Sequence, residues 1–394
     1  MRIAIDARSI LNPEKNPQIG VGHYTYQLIR NLLKIDQRNR YTLFFDYRVR
    51  EKDVKKFSAP NVTIKYFPWS DYKKYLPGVY SEILGLATLG SGDFDLLHTT
   101  SPDGRVPIGY QGKVICTFQD LAVYKQQELF PALTRIKARY NRQAMAKRAD
   151  RIIAVSENTK NDLIKILKVE ADRIEVVNNA IDERFFVEKS FVRHEIENEL
   201  KDKFRIDGEY ILFVGTLEPI KNLVRLLQAF KVFKDKINEK YPGKKYQLVL
   251  GGKPGWLVQH LLQVAKDLGI ANDLKFLGYV EGDDLKKLFF LSSAFVMPSL
   301  YEGFGMTVLE ALASRAVVAA SNIETIKEIA GETVEYFDPL DVRAMAEKIE
   351  FLVSLSDEEK NRKVEKGLIQ AKKYSWQKCA EKTLEVYQKV ARKS

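Results

Sequence analysis

The sequence predicts an α/β protein made of two doubly wound parallel sheets. Three observations carry this expectation. Short apolar runs alternate with longer helical patterns from end to end, the pattern of parallel strands joined by crossover helices. The strand-like runs are mostly apolar along their whole length, as strands covered on both faces require. The alternation also falls into two similar series, each too short for a closed barrel. They are separated by a polar, highly charged stretch at about Asp182–Gly208, read as the connection between domains.

The first series offers strands at Arg2–Ala7, Tyr41–Tyr47, Val62–Pro68, Asp95–Thr100, Lys113–Phe118, Arg151–Ser156 and Ile174–Asn179. Apolar residues at helical spacing mark helices between them at Tyr24–Ile35, Phe130–Lys147 and Glu157–Leu167. The second series has strands at Tyr210–Thr216, Tyr246–Gly251, Leu274–Tyr279, Ala294–Pro298, Ala316–Ser321 and Thr333–Phe337. Helical patterns at Leu223–Lys236, Leu257–Leu268, Asp283–Leu291, Val308–Ser314 and Arg343–Leu355 separate those. The tail Glu358–Arg392 reads as two helices broken near Tyr374-Ser375. Ligands of such sheets bind beyond the carboxyl ends of the strands, which for two facing domains means the cleft between them.

Composition excludes several classes. A hydrophobic fraction of 45% is ordinary for a globular chain and too high for a disordered one. No apolar stretch reaches the roughly 18 residues of a membrane span. The start, Met1-Arg2-Ile3-Ala4-Ile5-Asp6, carries an acid where a signal peptide needs an apolar core, so a cytoplasmic location is expected. Cys116 and Cys379 stand apart, and His23, His98, His194 and His260 show no ligand spacing, so neither a disulfide framework nor a metal site is expected.

The net charge is +11, and residues 1–186 hold thirty Lys and Arg against twenty-one Asp and Glu, a surplus of nine. The densest run is Arg135, Lys137, Arg139, Arg142, Lys147, Arg148 and Arg151. A basic helix with an apolar face docks on anionic lipid or an acidic substrate; a solvated helix face is the plainer alternative. No nucleic-acid motif accompanies the charge, so nucleic acid is not an expected partner.

The strongest chemical signal is Pro298-Ser299-Leu300-Tyr301-Glu302-Gly303-Phe304-Gly305-Met306-Thr307-Val308-Leu309-Glu310. An apolar strand runs into a glycine-rich loop that opens a helix, and helix N-termini suit phosphate. Gly303 and Gly305 let a ligand approach the backbone. Glu302 is expected on the loop and Glu310 in the first helical turn. Two readings of Glu310 stay open, because Thr307-x-x-Glu310 also fits a capping box.

This block resembles the signature of the family 4 retaining glycosyltransferases, which have the GT-B architecture of two Rossmann-like domains facing across a cleft. There two glutamates stand with seven residues between them, here Glu302 and Glu310. The resemblance implies that Glu302 lies beside the donor sugar, that Glu310 takes the ribose hydroxyls, and that the N–H groups of Gly303, Phe304, Gly305, Met306 and Thr307 hold sugar and diphosphate. It extends over nearly the whole chain. Phe213-Val214-Gly215-Thr216-Leu217-Glu218-Pro219-Ile220-Lys221-Asn222 looks like the family's diphosphate segment, with Lys221 matching the lysine that neutralises it. Leu248-Val249-Leu250-Gly251-Gly252-Lys253 and Phe276-Leu277-Gly278-Tyr279-Val280 match the strand ends that flank the base, which places Gly252, Tyr279 and Val280 there. Gly20-Val21-Gly22-His23-Tyr24 resembles the first-domain glycine loop. Ala149-Asp150-Arg151-Ile152-Ile153-Ala154-Val155-Ser156 also matches and is read as structural, with Ser156 capping the next helix.

Three departures stand out. Phe118-Gln119-Asp120-Leu121 occupies the place of a usual His-Asp-Leu, and Gln119 can donate a hydrogen bond to a sugar hydroxyl but cannot carry a proton. Thr216 and Ile220 occupy two places where arginine is common, leaving Lys221 as the obvious cation of its segment. Val177-Asn178-Asn179-Ala180 replaces a more usual Pro-Asn-Gly.

The resemblance implies an acceptor-binding domain at 1–185, a nucleotide-sugar-binding domain at 186–375, and a last helix at 376–394 that returns to the first domain. It implies a retaining enzyme with Glu302, Gln119 and Lys221 at the reacting centre. The donor is a nucleotide-sugar, a GDP-sugar favoured over a UDP-sugar, with mannose the favoured sugar and no metal or other cofactor. The acceptor is a glycan or a polyprenyl-phosphate-linked glycan of surface-polysaccharide assembly, met at the inner face of the membrane. The alternative, motivated by Gln119, Thr216 and Ile220, is a non-catalytic subunit of the same fold that binds a nucleotide or a partner enzyme.

Overall fold

The computed structural model describes residues 1–10, 20–46, 48–67, 87–89, 94–104, 106–107, 109–187, 192–253 and 258–391. Tyr47, Pro68, Leu257 and Arg392, expected above as ends of elements, and residues 188–191 of the charged stretch lie outside the described residues. The chain forms two compact units, Met1–Ala180 with Trp376–Ser394, and Ile181–Ser375.

The first unit holds a seven-stranded sheet. Its strands are β1 (Arg2–Asp6), β2 (Arg40–Asp46), β3 (Val62–Phe67), β4 (Leu96–Thr99), β5 (Lys113–Phe118), β6 (Arg151–Ala154) and β7 (Ile174–Val176). They run in the order β3-β2-β1-β4-β5-β6-β7, every pair parallel. The second unit holds β8 (Glu209–Val214), β9 (Tyr246–Gly251), β10 (Leu274–Gly278), β11 (Ala294–Met297), β12 (Val318–Ser321) and β13 (Glu335–Phe337). These run β10-β9-β8-β11-β12-β13, again all parallel. Each apolar run read from the sequence is therefore a strand, ending where loop residues begin. In each sheet the strand order reverses at one place, between β1 and β4 and between β8 and β11, the point where doubly wound sheets bind ligands.

Helices cover the sheets because their apolar stripes need burial. The helix Leu223–Lys240 buries Leu226, Leu227, Phe230 and Phe233 with the sheet residues Ile211, Phe213, Leu248 and Leu250 in one core. Ser156 caps the helix Glu157–Leu167, its hydroxyl accepting from the Thr159 N–H at 3.0 Å. The tail is two helices, Asp357–Ala371 and Trp376–Ala391. The second packs on the helix Val21–Ile35 of the first unit, where the Trp376 ring meets His23 edge-on at 5.7 Å.

That last helix also closes a buried polar cluster. The Tyr387 hydroxyl lies 2.7 Å from His98 Nδ1, and Thr117 Oγ1 lies 2.8 Å from His98 Nε2 and 3.1 Å from the Tyr24 hydroxyl. Both ring nitrogens are satisfied, and burial pushes the imidazole down to about 3, so His98 is neutral.

The charged stretch is not a plain connection. It contains the helix Arg193–Phe204, whose Ile196 and Leu200 are buried in the second unit. Ion pairs Lys203–Asp284 and Lys287–Glu199, both 2.6 Å, tie it to the helix Gly282–Leu291. Two apolar positions four apart suffice for one helix face, and the surrounding charges mask them.

Candidate functional site

The loops leaving β8 and β11 meet at the second unit's switch point. After β8 the chain passes Gly215 and Thr216 into the tight turn Pro219–Lys221. The Ile220 carbonyl accepts from the Leu300 N–H at 2.9 Å, which joins the two loops. Asn222 follows in a left-handed conformation, φ +58°. Its amide donates to the carbonyls of Pro298 at 3.1 Å and Pro339 at 2.7 Å, so its strain is held by the surrounding backbone.

This scaffold aims Lys221 at Glu302. Nζ lies 2.6 Å from Oε1, with the two side chains 19% and 12% exposed. The Glu302 carbonyl is fixed in turn by the Thr325 hydroxyl at 2.8 Å. Ion pairs this dry contribute little net stability, because desolvation offsets attraction. This one lies on two loops at the switch point, where doubly wound sheets bind ligands.

From Glu302 the loop Gly303-Phe304-Gly305 leads into the helix Met306–Ala313. Phe304 is buried edge-on against Tyr374, centroids 5.6 Å apart. Gly305 has φ +90°, and a Cβ there would come within 2.6 Å of Ile326 Cδ1, so only glycine fits. The helix is seated by close packing on Asp357–Ala371, where a Cβ on Gly367 would approach Leu312 Cδ2 to 2.8 Å. Its first N–H groups lack intrahelical carbonyls and carry the positive end of the helix dipole.

Two sequence expectations change here. The helix starts at Met306, two residues before the apolar pattern, so Glu310 falls in the second turn rather than the first. Gly305 occupies the N-cap and no side chain caps the helix, so the Thr307–Glu310 capping box does not form. The Glu310 carboxyl is instead desolvated and pushed up to about 7, a shift that Arg184 opposes and Asp182 reinforces.

Arg184 is a residue that sequence reasoning missed. It lies on the turn Glu183–Phe185, which the Ser314 hydroxyl and the Val187 N–H anchor to the C-terminal end of the same helix. Its guanidinium also stands 4.0 Å from where a Cβ of Gly282 would be. The only sequence signal was its place inside the charged stretch. Lys221 is therefore not the only cation near these acids.

The carboxyl ends of β8, β9 and β10 come together backbone to backbone. The Gly215 N–H donates to Gly251 at 2.9 Å, and the Gly252 N–H donates to Gly278 at 2.6 Å. A Cβ on Gly252 would sit 1.8 Å from the Gly215 carbonyl oxygen, so glycine is obligatory. Beyond them Val280 is buried. Tyr279 is partly open, with Lys253 Nζ 5.4 Å from its ring centroid. Burial and Glu281 push its phenol up to about 12, while Arg184 pulls the other way.

Three expected residues belong to the first unit. Gly20, φ +54°, caps the helix Val21–Ile35, and Gly22 is buried in its first turn. Gln119 follows β5, its Oε1 accepting from Asn179 Nδ2 at 3.0 Å. Gln119 Nε2 and Asn179 Oδ1 are buried without a hydrogen-bond partner, an orphan donor beside an orphan acceptor. A hydroxyl group satisfies such a pair, since it both donates and accepts. Among the described residues no three His, Cys, Asp or Glu side chains gather so as to hold a metal ion.

Comparison with known proteins agrees with this geometry. Residues 19–185 match the family described as Glycosyltransferase Family 4, and residues 196–370 match Glycosyl transferases group 1. The O-antigen chain mannosyltransferase B of Escherichia coli is 27% identical over 95% of this chain and 97% of its own. The serotype-specific mannosyltransferase WbdA of Escherichia coli is 29% identical over 81% of this chain, which spans only 38% of that longer protein. Sucrose-phosphate synthase from Thermosynechococcus elongatus shares the fold over the full length of both chains, with a TM-score of 0.77 at 18% identity. Two family matches that together run through both sheets, and a switch point carrying the expected acids, lysine and glycines, lead to one assignment: the chain belongs to the family 4 glycosyltransferases of GT-B architecture, enzymes that use a nucleotide-sugar donor.

Proposed function

We propose that the protein is a retaining mannosyltransferase that takes mannose from GDP-mannose and adds it to a glycan or polyprenyl-phosphate-linked glycan during surface-polysaccharide assembly. The Lys221–Glu302 pair at the β8/β11 switch point is the observation that carries the enzymatic reading. The names of the O-antigen relatives support the sugar and the kind of acceptor. The non-catalytic alternative has no such support.

In this reading the donor diphosphate lies on the helix N-terminus at Gly303–Thr307, where N–H groups and the dipole favour anions, with Gly215 and Thr216 on the adjoining diphosphate segment. Lys221 balances the charge that grows on the leaving phosphate. Glu302, held by Lys221, stands beside the reacting carbon. The Glu310 carboxylate accepts from the ribose hydroxyls, and the base sits at Gly252, Tyr279 and Val280. Gln119 meets a donor hydroxyl through its orphan amide. Gly20 and Gly22, at the start of the helix Val21–Ile35, are assigned to the diphosphate by the family resemblance alone. The acceptor oxygen bonds to the anomeric carbon as the bond to phosphate breaks, and its proton passes to the leaving phosphate oxygen, so configuration is retained.

Calorimetric titration with GDP, UDP and ADP, without added metal, tests the donor. The expected result is micromolar binding of GDP and much weaker binding of the other two. Preference for UDP or ADP overturns the GDP assignment, and no binding by any of them overturns the catalytic reading. Transfer of labelled mannose from GDP-mannose to a lipid-linked glycan fraction then tests the acceptor class.

A further inference from the structure

The helix Ala132–Arg148 presents an apolar stripe to solvent. Leu133, Ile136 and Tyr140 are 83%, 64% and 74% exposed, and Ala144, one further turn on, is exposed too. Steps of three and four residues put all four on one face. A solvated helix carries polar residues there, with its apolar stripe turned to the core. Here the inward face buries Met145 and Ala146 and the outward face is apolar as well.

The charge around the stripe has one sign. Residues 132–148 contain Arg135, Lys137, Arg139, Arg142, Lys147 and Arg148 and no Asp or Glu. Four of these cations serve the unit itself. Arg142, largely buried, faces Asp103 at 3.6 Å, and Arg148 donates to the carbonyls of Tyr110 and Gly112 at 2.8 and 2.9 Å. Arg135 donates to the Gln127 carbonyl at 3.3 Å, and the Arg139 guanidinium lies over the Tyr124 ring, 5.1 Å from its centroid. Lys137 and Lys147 are exposed beside the stripe.

The geometry points to a membrane-docking face: Leu133, Ile136 and Tyr140 enter the headgroup region of an anionic bilayer while Lys137 and Lys147 meet its phosphates. Charge complementarity selects this occupant. A second copy docked through the same stripe about a two-fold axis would set like-charged helices against each other, with no acid on either to compensate. Tyrosine and lysine also suit the interface, each having an apolar body and a polar tip. The inference is independent of the donor, because vesicle binding is read without nucleotide.

The test is co-sedimentation with vesicles of phosphatidylglycerol and phosphatidylcholine, against phosphatidylcholine alone, at low and high salt. Binding is expected to the anionic vesicles only, and to weaken with salt. Lys137→Gln with Lys147→Gln should weaken it about twenty-five-fold, roughly five-fold per lysine. Leu133→Ser with Ile136→Ser and Tyr140→Ser should weaken it more than about ten-fold, since buried apolar area sets the insertion strength. An unchanged melting temperature in both variants shows that the fold is intact. Equal binding to neutral vesicles, undiminished binding by the triple variant, or a wild-type dimer that the triple variant makes monomeric would each overturn the proposal.

Discussion

The two sheets share a winding plan but use polar residues in opposite ways. In the first unit, His98 and Thr117 sit inside the strands β4 and β5 and are satisfied by Tyr24 and Tyr387. That cluster is fully buried, neutral and closed by the last helix, so it holds structure. In the second unit, Lys221 and Glu302 sit on loops beyond β8 and β11, charged and still reachable by solvent. A polar group inside a sheet must find a protein partner, whereas one beyond the strand ends can exchange its partner for a ligand. On the proposed function, depth relative to the strand ends thus separates structural polar groups from chemical ones in this chain.

The largest expected effect breaks the comparison on the chemical side. Glu302→Gln should lower sugar transfer by roughly 100-fold or more while GDP binding stays nearly constant, as measured by parallel rate and titration experiments. Loss of binding together with transfer would make Glu302 a donor ligand rather than a catalytic group.

Next in size are two pH dependences of opposite sign. The Glu310 carboxyl is raised to about 7 in the folded state, so the native protein binds more protons than the unfolded chain above the ordinary carboxyl range. Stability contributed by that proton is present at low pH and lost as pH rises toward 7, by up to about 3 kcal/mol. Glu310→Gln should remove this loss, seen as a higher melting temperature at pH 8. The same substitution should weaken GDP binding at pH 8 and flatten its rise through pH 7, because only the carboxylate accepts from ribose without compromise. Neutral His98, lowered to about 3, works the other way: its contribution is lost as pH falls below the ordinary histidine range.

The smallest effect sharpens the structural side. Tyr387→Phe leaves His98 Nδ1 buried without its partner and should cost about 1–3 kcal/mol in denaturant unfolding, with GDP affinity unchanged. A change in GDP affinity instead would mean that the buried cluster is coupled to the chemistry.

The strands were legible because buried parallel strands write themselves as apolar runs, and Tyr246–Gly251 and Lys113–Phe118 are found with the very bounds expected. The helix Arg193–Phe204 was not, since Ile196 and Leu200 are its only buried residues among many charges. At the site, the glycine-rich loop drew attention to Glu302 and Gly305, and the family resemblance singled out Lys221, each through a local motif. The sequence could not show that Lys221 and Glu302, 81 residues apart, form one ion pair. Nor could it place Arg184 beside the Glu310 helix, because that proximity arises from the turn at Glu183–Phe185 folding onto its end. The helix start at Met306 was hidden by Gly305, whose left-handed conformation rather than a side-chain cap sets the boundary.

The central claim is that the charge at the β8/β11 switch point binds the donor diphosphate. GDP titration of the wild type beside Lys221→Met tests it most directly. The account predicts about a ten- to hundred-fold loss of affinity, with most of the lost binding being sensitive to salt. Equal GDP affinity in the two proteins would contradict it and leave the Lys221–Glu302 pair a structural tie between two loops.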